Sequence, residues 1–129
     1  MGHATRCLAS LLLALGSAQI AGAAGDPARG AELYARCRAC HALTHHRTGP
    51  RHCGLLGRAA GSLPDFDYSA AMRASGIVWD AGTLERFLAA PTLVVPGTTM
   101  GYAGVADPVE RADLIAWLAR ESGSVEVCR

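Results

Sequence analysis

The sequence contains no lysine: all 12 of its basic residues are arginine. Schiff-base chemistry, and any mechanism that needs an amine side chain, is thereby excluded. Aromatic residues make up only 5% of the chain, too few to build stacking platforms for nucleobases. The formal net charge is +1 and no basic run is concentrated anywhere, so the electrostatic footprint of a nucleic-acid binder is missing too. Strand-like alternation, internal repeats and low-complexity segments are also lacking.

What is there belongs to a folded domain. At 129 residues, 50% hydrophobic and 18% charged, the chain has the composition of one globular unit rather than a disordered tail. Its start reads as an export signal: Met1, His3 and Arg6 form a short polar opening, residues 8–15 an apolar run, and Ala21-Gly22-Ala23 a small-residue cleavage pattern. The expected division is a cleaved signal over residues 1–24 and one domain over residues 25–129, placed in the periplasm with no stable membrane insertion. A retained anchor is the other reading, but the run from Leu8 to Ile20 falls short of the about 20 apolar residues that a spanning helix needs. Cleavage removes Arg6, after which arginines equal acidic residues in number and the mature chain is formally neutral. A domain this small buries a modest fraction of its surface, and a cofactor, metal or disulfide would help it considerably.

Past the signal the pattern is helical. Asp26-Pro27 is a helix start, an N-cap with proline at the first helical position, followed by Leu33, Tyr34 and Cys37 at helical spacing and an end expected near His41. Residues 42–67 are punctuated by Gly49-Pro50, Gly54, Gly57, Gly61 and Pro64 and read as a long loop, which needs something to wrap. Ser69 can cap a short helix through Ala74, and Asp80 another running to Ala90, where Pro91 stops it. Residues 91–106 read as loop again. Asp107 then caps a last helix with Pro108 first, Glu110 third, an apolar stripe of Leu114, Ile115, Trp117 and Leu118, and Gly123 at its end.

Five cysteines occur, and two of them form Cys37-Arg38-Ala39-Cys40-His41, the spacing that attaches a c-type haem. Two thiols three residues apart on one helical turn can reach the two vinyl groups of a haem, and the adjacent imidazole then ligates iron from one face. Two rivals use the same residues. A thioredoxin-like pair would follow a strand, and no strand pattern precedes Cys37. A structural zinc site would recruit ligands from His45, His46, His52 and Cys53. Neither explains the methionines. A pure electron carrier needs a second axial ligand, for which thioether sulfur is well suited, and the initiator aside the chain offers Met72 and Met100. Met72 lies in a short helical stretch as a packing residue. Met100 follows Pro96-Gly97-Thr98-Thr99 in an apolar loop able to close over the other haem face, and is the ligand expected.

At this point the chain, from Asp26 to about Arg120, resembles a class I cytochrome c of the mitochondrial and bacterial short-chain respiratory type. The resemblance is carried by the attachment motif and by Thr48-Gly49-Pro50, Gly54-Leu55-Leu56-Gly57-Arg58, Tyr68, Gly76-Ile77-Val78-Trp79, Pro96-Gly97-Thr98-Thr99-Met100 and Asp113-Leu114-Ile115-Ala116-Trp117-Leu118. It implies an all-α fold of three to five helices around one covalent haem c, with the first and last helices crossing near Gly30 and Trp117. It implies that the Pro50 carbonyl accepts the free imidazole N–H of His41, and that Arg58, Tyr68, Trp79 and Thr98 hold the haem propionates. The function implied is that of a monomeric single-haem electron carrier, not an enzyme, which meets redox protein partners transiently. A haem subunit of a larger dehydrogenase, or a haem enzyme or gas binder with an open iron position, is the alternative.

The chain also departs from that family. Phe87 stands where a tyrosine often bonds to the ligating sulfur, and Met72 where a polar residue is usual. The segments expected around the haem edge carry Thr92, Leu93, Thr99 and Tyr102 where the mitochondrial carriers have lysines, so the docking face should be less charged and more apolar than theirs. The histidines at 45, 46 and 52 read as solvated loop residues. Cys53 and Cys128 remain in an exported chain, where thiols oxidise. The family fold brings Cys53 near the end of the last helix, which leaves an intramolecular disulfide, an intermolecular one and free thiols all open.

Overall fold

The computed structural model describes residues 24–129 together with Met1. The export signal expected over residues 1–24 therefore lies, its two end residues apart, outside the described residues. Five helices follow in chain order: α1 (Pro27–Leu33), α2 (Ala70–Ala74), α3 (Ala81–Ala89), α4 (Pro91–Val94) and α5 (Pro108–Ser122). Among the described residues there are no strands, only two isolated bridges, His41 to His46 and Ala59 to Val78. The all-α expectation holds.

Local chemistry starts most of these helices where the sequence places them. The side chains of Asp26, Ser69, Asp80 and Asp107 accept the N–H groups of Ala28, Met72, Thr83 and Val109, at 2.9, 3.1, 2.7 and 2.7 Å. Each satisfies a donor that has no partner within its own helix. At Asp80 the cap is reciprocal, because the Thr83 hydroxyl accepts the Asp80 N–H at 2.8 Å.

Two boundaries differ from expectation. The first helix is α-helical only to Leu33, then tightens into a 3-10 turn over Tyr34–Cys37 before a turn that ends with His41 N–H on the Cys37 carbonyl at 2.9 Å. No glycine is available there to end the helix in a left-handed residue, and i→i+3 bonds satisfy the last carbonyls instead. Residues 91–94, expected as loop, form the single turn α4. The proline that ends α3 occupies the first position of α4, where its missing N–H costs nothing.

α1 and α5 cross as the resemblance implies. A Cβ at Gly30 would stand 2.6 Å from the Cβ of Trp117 and collide with the Asp113 carbonyl, so only glycine lets the two backbones come this close. The buried carboxylate of Asp113 accepts the Asp26 N–H at 2.6 Å, with Arg29 Nε 3.2 Å from its other oxygen, which binds the start of α1 to α5. Behind this seam Leu114, Ile115, Trp117 and Leu118 pack with Leu84, Phe87 and Leu88 of α3 into the core. Val95 and Val105 close it from the connecting loop. Leu114 is 1% exposed, so truncating it to alanine removes about 2–5 kcal/mol.

Candidate functional site

The helices leave a cavity of about 410 Å³. Cys37, Cys40, His41, Pro50, Arg58, Tyr68, Trp79, Thr98 and Met100 all line it. The nine residues that the sequence put forward for the haem site thus line one space, although they are spread over more than sixty positions of the chain. The lining between them is supplied largely by apolar core residues such as Leu55, Leu84, Leu88 and Val105.

Cys37, the last residue of the 3-10 turn, and Cys40, in the turn after it, are free thiols, half-buried and exposed respectively, and burial pushes the Cys37 thiol up. His41 follows in a buried position. Its Nδ1 lies 2.8 Å from the Pro50 carbonyl oxygen. A carbonyl can only accept, so Nδ1 carries the proton and donates it, which leaves Nε2 with the lone pair that a metal requires. Burial also pushes the imidazole down, against the Pro50 hydrogen bond, and so favours this neutral form. Gly49 makes the arrangement sterically possible: a Cβ there would lie 2.7 Å from both His41 ring nitrogens.

Polar groups are few and pointed in purpose. The Arg58 guanidinium donates to the carbonyls of Cys53 and Arg51, at 2.8 and 3.1 Å, and has no carboxylate partner among the described residues. Burial pushes its pKa down, the cost of a partly desolvated cation with no anion. Tyr68 and Trp79 are both buried, at 9% and 7% exposure. The Trp79 indole N–H finds no acceptor among the described residues. Thr98 accepts the Met100 N–H at 3.2 Å and keeps its own hydroxyl proton to donate. An unpaired guanidinium, an unclaimed indole N–H and a free hydroxyl on an apolar cavity suit a flat apolar ligand that ends in carboxylates. Two thiols and an imidazole with Nε2 open are the donor set that haem c takes, and the residues present fit that group.

Some sequence expectations need correction. Of the three histidines expected in solvent only His45 is exposed. His46 is half-buried against Phe66, with ring centroids 5.1 Å apart, and its Nε2 lies 3.2 Å from Asp65 Oδ1. His52 lines the cavity, stacks on His41 with centroids 4.3 Å apart, and is hydrogen-bonded through Nδ1 to the Tyr34 hydroxyl at 3.1 Å. Burial pushes its imidazole down to about 3 and the Tyr34 phenol up to about 12. Sequence reasoning missed both residues, because a histidine in a Gly/Pro-punctuated loop carries no signal of what will pack over it. Met72 is buried in the core as expected, and it too lines the cavity.

The rival chemistries fare badly. Cys53 is bonded to Cys128, which withdraws it from any zinc set, and among the described residues no three His, Cys, Asp or Glu side chains gather around a metal position. A helix and a 3-10 turn, not a strand, precede Cys40. Among the described residues no helix is long and apolar enough to cross a membrane.

No model of a protein family matches the chain. Individual proteins do. Cytochrome c2 of Rhodomicrobium vannielii is 43% identical over 104 residues, covering 78% of this chain and 83% of that protein. Cytochrome c2 of Agrobacterium tumefaciens is 41% identical over 106 residues, covering 78% and 96%. Among solved structures, cytochrome cH from Methylobacterium extorquens matches with a TM-score of 0.73 at 38% identity, over 74% of this chain and 99% of that one.

Proposed function

This chain belongs to the class I cytochrome c family, and on that premise we propose that it is an exported single-haem shuttle whose iron is ligated by His41 and Met100. Cytochromes c carry electrons to redox partners, bear covalent haem c and are not enzymes. In this reading Cys37 and Cys40 form the two thioethers, and the haem iron supplies the one-electron ferric/ferrous couple. The Pro50 carbonyl holds the His41 ring with Nε2 free to ligate. Arg58, Tyr68, Trp79 and Thr98 donate to the propionates, and the apolar residues between them exclude water. The observation that carries the reading is the convergence of all nine residues on one cavity.

Export is supported by the sequence of residues 1–24 and by the Cys53–Cys128 disulfide, a bond that persists in oxidising compartments such as the periplasm. The domain then comprises residues 25–129 and acts as a monomer. Docking is expected to depend little on charge: Thr92, Leu93 and Thr99 are exposed and Tyr102 is half-buried, with Leu93 80% exposed. Electron-transfer rates with the partner should therefore change little with ionic strength, and a steep fall with added salt would contradict this docking mode.

A reduced-minus-oxidised spectrum of the purified protein tests the central reading, with carbon monoxide as the control. A c-type spectrum that carbon monoxide leaves unaltered is expected. Binding of carbon monoxide to the reduced protein would indicate an open iron position, and with it a gas binder or haem enzyme.

A further inference from the structure

The polar pair beside His41 has no part in the reading above. We propose that His52 is a positioning residue for the iron ligand: held by Tyr34, its ring stacks on His41 and fixes the orientation of the ligating imidazole. This rests on His41 being that ligand.

The His41 and His52 rings lie 4.3 Å apart at an interplanar angle of 23°, a stacked arrangement rather than a chance approach. The hydrogen bond to Pro50 restrains one edge of the His41 ring, and a flat neighbour on its face restrains its tilt. His52 can do this because both its backbone and its side chain are held. Its N–H donates to the Ala42 carbonyl at 3.0 Å, while its neighbour Cys53 donates to Leu43 at 2.8 Å and is bonded to Cys128. Its side chain is held by Tyr34, whose ring packs 4.2 Å from that of Trp117 at the α1–α5 seam. A continuous line thus runs from the helix crossing through Tyr34 and His52 to His41.

An apolar side chain would fill the same space without calling for a hydroxyl nearby. A hydrogen-bonded polar pair out of bulk water is at best about even with apolar side chains of similar shape, so stability alone does not call for a histidine and a tyrosine here. Its polarity is explained if ring orientation is what it secures.

The test uses the haem-loaded protein and the variants Tyr34→Phe, His52→Leu and the double variant. Electron paramagnetic resonance and the hyperfine-shifted proton spectrum of the ferric protein read the orientation of the axial imidazole. Midpoint potential and thermal midpoint are measured alongside. Both single variants are expected to change the g anisotropy and hyperfine pattern while retaining the low-spin signal, His52→Leu by more. The double variant should go no further than His52→Leu, since the hydroxyl acts through that ring. Tyr34→Phe removes one oxygen and keeps the test open should His52→Leu fail to mature. Unchanged spectra in both variants, with or without a shifted thermal midpoint, would reduce the pair to packing and overturn the proposal. A parent protein without a low-spin histidine-ligated signal would instead overturn the ligand assignment itself.

Discussion

The two segments that bring His41 and Met100 to the cavity are held very differently. Around His41 the chain is cross-tied: the Pro50 carbonyl takes Nδ1, His52 stacks on the ring, and Gly54 N–H reaches the Ser122 carbonyl of α5 at 2.7 Å beside the Cys53–Cys128 bond. The Met100 segment is held mainly by its own turn, with Thr98 N–H on the Val95 carbonyl at 3.0 Å and Met100 N–H on the Thr98 hydroxyl at 3.2 Å. Pro96, Gly97, Thr99 and Gly101 on either side are exposed, and the nearby Phe87 has no hydroxyl to offer the sulfur. Under the proposed ligation by His41 and Met100, the difference teaches which bond gives way first. A bond anchored in several elements resists exchange, whereas one borne on a turn opens at the cost of a few local contacts.

The largest effect should come from removing the weaker partner outright. Met100→Ala is expected to leave His41 in place, open the sixth position and let the reduced protein bind carbon monoxide, which the parent does not. An unaltered spectrum and no carbon monoxide adduct would show that the methionine was never a ligand.

Next in size is the stronger side. Cys128→Ser opens a covalent loop with a sequence separation of 75 residues. On chain-entropy grounds the folded state should lose about 4 kcal/mol, read as a lower denaturation midpoint at unchanged slope. The methionine ligation should survive in whatever fraction remains folded.

A smaller effect is expected at the turn itself. Thr98→Val removes the acceptor for the Met100 N–H, worth about 1 kcal/mol. Alkaline displacement of the methionine should then begin up to about one pH unit lower. Ferric spectra through an alkaline titration measure it. With no lysine in the chain, the displacing ligand cannot be a side-chain amine.

The smallest effect concerns Asp65. The Arg51 guanidinium, 2.5 Å away, and then His46 hold its carboxyl down to about 2 against an ordinary 3.8. A folded-state value below the unfolded one gives stability that is complete above the unfolded value and is lost as pH falls through the folded one. Asp65→Asn should therefore be slightly less stable than the parent at pH 5, with the difference shrinking as pH falls towards 2. Denaturant midpoints at the two pH values decide this, and a constant difference would remove the ion pair from the account.

Much of this was legible beforehand, for identifiable reasons. Asp26, Ser69, Asp80 and Asp107 announce helix starts because a cap acts on donors two or three residues away. The Cys37-Cys40-His41 spacing is legible on the same grounds, since one turn of chain determines which side chains lie together. The early tightening at Tyr34 and the turn α4 were missed because helix ends depend on small differences between competing hydrogen bonds. His52 and His46 were misjudged because residue type predicts burial only on average, and loops packed from afar depart from the average.

The sequence by itself determined the helical class, the haem-attachment turn and the caps, all of which arise from neighbours within a few residues. It also marked Gly30 and Trp117 as a crossing point, through resemblance rather than local physics. Only the tertiary structure decided that Cys53 pairs with Cys128, that His52 stacks on His41 under the hold of Tyr34, and that Leu93 faces water while Val95 is buried. Those outcomes depend on which distant segments come to share a surface, and solvent exclusion there follows from packing of the whole chain rather than from any stretch of it.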